Sequence, residues 1–382
     1  GQLRLTDAAG REIPAQFTVL SRYGARDNSL RWVLLDFQAD VPAGGEVTVH
    51  LRNDRPAQDV AAPIRIRESA DAISVDTGAL VATISRRDGS LLQSVSVGGR
   101  QVLKAGNGDG PAVRAGEVRQ VERFRGPAWN THGWEKLRTD ERVRIDEAVY
   151  RGGPPREAKV ELAAPLRSVV VIRGRHLPAS AGAGMLRDGL YDYTVRLHFY
   201  RGQSYVKVEY AVENSDRAQP QASHLFREAG LSHTLTLGPN TVLTGGGEGA
   251  QEGAPAVAAF PLPAQQQGWL VQRAARSEKK NRRAVVQEGG YQVGVGSAGH
   301  IASPRAAGKR GRFLDVSDGE KGVAVAMRYL WEQAPRAISL SQKRLQAVVQ
   351  ADSPGHRASD DRPAYDLDLG ERSLHDVLYY FH

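Results

Sequence analysis

The sequence, 382 residues long, contains no cysteine. Disulfides and cysteine-ligated metal centres are thereby excluded, while secretion stays open, because periplasmic proteins often manage without disulfides. Long apolar runs are missing too. No stretch approaches the roughly 20 apolar residues of a membrane-spanning helix, so a soluble chain with no membrane partner is expected. The chain opens on Gly1 rather than Met and shows no signal peptide, which suggests a processed or excised product; a removed secretion signal is one source, a removed tag or trimmed terminus another. There is no P-loop, GxSxG, HExxH or dinucleotide fingerprint, so the enzyme classes built on those motifs have no support and no cofactor is implied. A repeat of fixed period is absent, which weighs against propellers and solenoids.

What is present suffices for a core: 41% of the residues are hydrophobic, and a length prior of roughly 150 residues per domain suggests two or three domains. Lys and Arg number 51 against 43 Asp and Glu, a net charge of +8. A positive field favours polyanionic partners, of which acidic polysaccharide, nucleic acid and anionic membrane are the choices. A solvated basic surface explains the same excess. Nucleic acid has the least support, resting on net charge and the basic run 273–283.

Short strands separated by turn residues dominate the pattern. Residues 3–6, 15–22, 29–39 and 46–51 alternate and break at Gly, Pro and Asp, as in a small barrel. The stretch 53–63 has no periodicity and carries Pro56 and Pro63, which reads as a linker. Strands resume at 64–67, 72–75, 79–85 and 91–97, and recur at 158–162, 168–173, 191–200, 205–212, 234–237, 322–329 and 345–350. Convincing long amphipathic helices are absent. The expected fold is all-β, a small N-terminal β-barrel over residues 1–58 followed by a large antiparallel β-sandwich over 64–382. Runs 105–112, 245–255 and 273–283 read as loops.

Residues 190–214 are the most readable segment. If Arg201 to Ser204 form a four-residue hairpin loop, Tyr200 faces Tyr205, His198 faces Lys207 and Arg196 faces Glu209 on one polar face. Tyr193, Val195, Leu197 and Phe199 then meet Val206, Val208, Tyr210 and Val212 on the core face. Arg, Lys, His and Tyr on a sheet suit an acidic sugar, the cations for its carboxylate and the rings for its pyranose. An Arg196–Glu209 ion pair and tyrosine stacking on a solvent-facing sheet explain the same residues.

A second group, Trp129, His132, Trp134 and Glu135, lies in a stretch without apolar alternation. Tryptophan stacks on sugar faces, and His or Glu moves protons; loop tryptophans also plug sandwich ends. His224, Arg227, Glu228 and His233 lie close in sequence but lack the convergence of a metal site, so no metal is expected. Asp315 and Asp318 read as turn residues rather than calcium ligands.

The runs GQLRLTDAAGREIPAQFTVLSRY and SLRWVLLDFQADVPAGGEVTVHL resemble the N-terminal barrel of the exo-rhamnogalacturonan lyase-like family, polysaccharide lyases that act on pectin. DTGALVATISRRDGSLL, YTVRLHFYRGQSYVKVEYAVENS and RFLDVSDGEKGVAVAMRYLWEQAPRAISL resemble its central sandwich, and LGERSLHDVLYYFH its last strand. These are strand-bearing runs rather than a catalytic signature, so they imply architecture more than activity. The family usually has a strand before the position of Gly1 and a helical toroid beyond that of His382 that contributes to the cleft.

Lyase chemistry needs a group that neutralises the uronate carboxylate, a base for the C5 proton and an acid for the leaving oxygen. Arg196, His132 or His198, and Tyr200 suit these roles in that order. Trp129, Trp134, Glu135, Lys207 and Tyr205 suit substrate binding, as does His375, on the final strand at the edge where a helical domain would dock. The expectation is a secreted or periplasmic protein that binds an acidic polysaccharide and could cleave it by β-elimination. The alternative is a non-catalytic structural subunit whose free strand edges meet a partner chain or another copy.

Overall fold

The computed structural model describes all residues except 1, 25–26, 127–137, 180–188, 216–224, 252, 274–275, 281–282, 288, 298–299, 302, 352–364 and 368. Among the described residues every regular element is a strand, and no helix is long and apolar enough to cross a membrane. The expected all-β class is borne out. Period-two alternation of apolar and polar residues drives it, since successive side chains in a strand point to opposite faces.

One layer of the sandwich runs, in spatial order, through Glu157–Leu162, Arg167–Pro178, Asp192–Tyr200, Tyr205–Glu213, Arg372–Phe381, Gly322–Met327, Arg310–Ser317, Val242–Glu248 and Pro255–Pro261, all antiparallel. The facing layer runs through Gly110–Gly126, Leu225–Thr234, Arg344–Gln350, Arg336–Leu340, Gly268–Gln272 and Tyr291–Ser297. Arg138–Gly152 pairs with both Gly110–Gly126 and the end of Arg167–Pro178, joining the layers into a single 19-stranded run among the described residues. Val195, Leu197, Phe199, Val208 and Tyr210 from the first layer meet Leu231, Leu270, Val293, Ile338 and Leu345 from the second in one core. A five-stranded sheet spanning Arg65–Glu68 to Arg100–Lys104 adds Ile73, Val75, Ile84 and Val95 to the same core.

The N-terminal strands form a three-stranded and a two-stranded sheet. They bury little of their own, Leu5 and Ala15 being their buried apolar residues. They lean instead on the sandwich: Arg167 Nε and Nη2 donate to the Asp36 carboxylate at 2.7 and 3.1 Å, Gln16 Oε1 accepts from the Leu166 and Arg167 amides, and Gln38 donates to the Arg201 carbonyl.

Three expected loops prove to be strand in part. Gly245, Gly246 and Gly247 lie inside the Val242–Glu248 strand and Pro255 begins the next; a Cβ on Gly246 would stand 2.1 Å from the Ala256 carbonyl oxygen and one on Gly247 2.0 Å from that of Arg310. Glycine is present there for close backbone approach, not for a turn. Gly110 opens a strand, and the basic run forms a hairpin of Arg276–Lys280 with Arg283–Gln287. The final strand is also not an edge, because Arg372–Phe381 is paired on both sides.

Candidate functional site

The hairpin expected from the sequence forms with the expected register: Arg196 opposite Glu209 and His198 opposite Lys207, with the Tyr200 and Tyr205 rings 5.0 Å apart across the turn. Tyr193, Val195, Leu197, Phe199, Val206, Val208, Tyr210 and Val212 are all buried on the core side. The opposite face points outward, and neighbouring strands extend it. Arg167 joins opposite Tyr200, while Tyr380 and Asp376 join opposite Tyr205 and Glu209.

Nearly every charge on this face is answered. Arg196 takes Glu161, from the strand beyond its neighbour, through Nε at 2.6 Å and Nη2 at 3.0 Å, rather than the Glu209 opposite it; that hydrogen bond raises the guanidinium pKa and helps lower that of Glu161. Lys207 Nζ lies 2.9 Å from Glu209 and 3.4 Å from Asp376. Burial pulls the ammonium down, but the two carboxylates outweigh it and leave its pKa raised. Asp376 also holds Arg328 at 3.5 Å. His198 is buried, with Nδ1 3.4 Å from Arg167 Nη1 and Nε2 3.3 Å from Glu209 Oε1 but not aligned for a hydrogen bond. Burial lowers its pKa against the pull of Glu209, so the imidazole is neutral. Burial raises the Tyr200 and Tyr205 hydroxyls, which stay protonated.

The open part of the face is aromatic and apolar. Tyr380 is 46% exposed, Leu378 38% and Leu374 52%. With Tyr200 and Tyr205 on the next strands, Tyr380 completes a row of rings across three neighbours, and the His382 ring stacks on it at 5.7 Å. Tyr380 and His382 escaped the sequence reading, although the alternation in LHDVLYYFH puts Tyr380 on the outward side.

His375 does not join this group. It points to the core side of its strand with Val377 and Tyr379, its Nδ1 2.6 Å from Arg336 Nη2 and Nε2 2.8 Å from Ser373 Oγ. Trp129, His132, Trp134 and Glu135 lie outside the described residues, between Gly110–Gly126 and Arg138–Gly152, which pair with each other from end to end. His224 lies outside them as well. His233 is buried edge-on against Tyr379, and among the described residues no three His, Asp or Glu side chains gather as a metal would require. Asp318 is a turn residue, accepting from the Gly238, Glu320 and Lys321 amides, whereas Asp315 is in a strand and holds His382.

Residues 64–223 match the family model of the PcRGLX-like protein central beta sandwich domain. The match covers part of the sandwich and not the strands that follow residue 223. The resemblance to exo-rhamnogalacturonan lyase-like proteins is thus borne out over those residues, which include the Arg196–Glu209 hairpin, while the layer that holds the hairpin takes further strands up to Phe381. No curated protein matches the chain. Among solved structures, a galactose mutarotase-like protein from Clostridium acetobutylicum is 9% identical, covering 84% of this chain and 99% of its own, with a TM-score of 0.38. A glycosyl hydrolase family 38 protein from Enterococcus faecalis is 10% identical over all of this chain, which spans 39% of its length, with a TM-score of 0.44. Likenesses this distant carry no functional argument.

The buried histidines make a separate expectation. Burial holds His176 and His233 down to about 4 and His375 to about 3, against about 6.5 when unfolded. Below pH 6.5 the unfolded chain therefore binds more protons, and stability present above that pH is lost as pH falls toward 4 and 3. The melting temperature is expected to be lower at pH 5 than at pH 7; equal values would contradict the burial of these rings as neutral groups.

Proposed function

We propose that the chain binds an acidic polysaccharide along the outer face of its PcRGLX-like sandwich, as a binding rather than a cleaving surface. The observation that carries this is the row of Tyr200, Tyr205 and Tyr380 across adjacent strands, flanked by Lys207 and His198. Such a platform offers successive π-faces to sugar rings, with the net charge of +8 attracting an anionic chain. A polysaccharide of this kind also argues for a secreted or periplasmic protein. Cleavage by β-elimination fits the face less well. The carboxylate-neutralising role suits a free cation, and Arg196 is engaged by Glu161; the base role suits an accessible imidazole, and His198 is 7% exposed.

A second reading, an assembly subunit, is favoured by the apolar surface of the N-terminal hairpin, where Leu20 is 62%, Tyr23 56% and Trp32 63% exposed. Affinity electrophoresis in gels containing polygalacturonate or neutral dextran separates the two. Retention of the intact chain by polygalacturonate alone is expected, weakened about tenfold, or ~1.4 kcal/mol, by Tyr205→Ala combined with Tyr380→Ala. Unretained protein migrating as an oligomer would favour the assembly subunit instead.

A further inference from the structure

We propose that the cleft where the Gly322–Met327 strand ends is a subsite for one carboxylated sugar ring, a uronate unit. This rests on the carbohydrate reading above and adds a location and a charge requirement that the sheet face does not supply. The cleft has a volume of about 330 Å³ and is lined by Arg310, Arg312, Met327, Tyr329, Trp331 and Glu332 among others. That is the low end of small-ligand pockets, roughly 300–1,000 Å³.

Its walls are prepared for a ring. Trp331 is 43% and Tyr329 48% exposed, while Leu330 between them is buried and anchors the segment. The Arg310 guanidinium lies over the Trp331 ring, 4.4 Å from its centre, and is tied behind to the buried Glu248 at 3.4 Å. One indole face is thereby fixed and the exposed remainder is left for stacking. Tyr329 holds a left-handed backbone, φ +57, a conformation unfavourable for a non-glycine residue and one that collects at ligand clamps. Arg328 covers its ring at 4.8 Å and is itself held by Asp376, which links the cleft to the Lys207 end of the sheet face.

The charge requirement comes from Arg312. Arg310 and Arg328 are each paired with a carboxylate. The Arg312 side chain is exposed, and its guanidinium has no hydrogen bond or ion pair among the described residues. A guanidinium presents two parallel N–H donors that match a carboxylate. The exposed Glu332 on the rim accepts from ring hydroxyls and penalises a ligand of higher negative charge density, such as a phosphate.

The test is calorimetric titration of the intact protein with trigalacturonate and with its neutral methyl ester. Wild type is expected to bind the acid at least tenfold more tightly than the ester. Arg312→Gln is expected to erase that preference while leaving ester binding intact, and Trp331→Ala to weaken both, with Trp331→Tyr restoring part of the loss as a check on folding. Unchanged acid binding in Arg312→Gln and Trp331→Ala, with loss in the Tyr205→Ala and Tyr380→Ala double variant, would overturn the subsite and leave the sheet-face reading standing. Loss in the cleft variants alone would support the subsite and remove the sheet face as the platform. A wild type that binds neither probe would overturn both.

Discussion

Gly110→Ala is expected to destabilise the protein by about 2–5 kcal/mol, the sum of a left-handed backbone forced on a Cβ and an overpacked contact. Gly110 has φ +100, and a Cβ on it would stand 1.8 Å from the Gly89 carbonyl oxygen. Nothing flexible can give way there, since the obstruction is backbone. Gly89 is equally constrained, with the Gly152 carbonyl oxygen 2.0 Å from where its own Cβ would be, and the Gly152 Cβ would meet Pro111 at 2.7 Å. The three glycines let the turn before Leu92–Val97 press onto the Gly110–Gly126 and Arg138–Gly152 strands, joining the five-stranded sheet to the sandwich. Gly202 is the control: φ is +65 but nothing lies within 4 Å of its Cβ position, so Gly202→Ala should cost only about 1–2 kcal/mol. Urea denaturation followed by tryptophan fluorescence measures both, and equal costs would contradict the close-approach account.

The neighbouring Asp109→Ala is expected to cost about 3–5 kcal/mol, as breaking a buried ion pair does when one charge is left without its partner. The Asp109 side chain is fully buried. Its carboxylate accepts from the Gly106 amide at 2.9 Å, the Thr234 amide at 2.8 Å, the Thr234 hydroxyl at 2.9 Å and Arg344 Nη1 at 3.0 Å. Removing it leaves the Arg344 guanidinium, which burial already disfavours in its charged form, with only the Asn107 and Gly108 carbonyls and no counter-charge, and unties three segments at once. Asp109→Asn retains an acceptor and should cost clearly less. Equal losses for the two variants, measured in the same denaturation assay, would mean that side-chain volume matters and charge does not.

Both residues fall in the run AGNGDGPA, which by composition reads as a loop. Glycine and aspartate cluster in turns, and nothing local separates a turn glycine from one that admits another backbone. The run Gly245 to Gly247 misleads for the same reason, its neighbours being Ala256 and Arg310 from other strands. Local periodicity, by contrast, was enough for the Asp192–Tyr200 and Tyr205–Glu213 hairpin, where loop length sets register and register sets which face each side chain occupies. It could not supply Glu161 as the partner of Arg196, because that pairing crosses an intervening strand. His375 was legible in part, since two-residue alternation from Val377 and Tyr379 turns it toward the core. The Trp331 cleft was not, as its walls come from residues 310–312 and 327–332, brought together by the pairing of Arg310–Ser317 with Gly322–Met327.

The sandwich is expected to bind an acidic glycan without cleaving it. Titrating the intact chain with an oligogalacturonide in a calorimeter, while following ultraviolet absorbance in a parallel cell, tests both halves together. Saturable heat of binding with flat absorbance is the predicted result. Rising absorbance, the signature of the unsaturated uronide that C5 proton removal yields, or the absence of any binding heat, would contradict it.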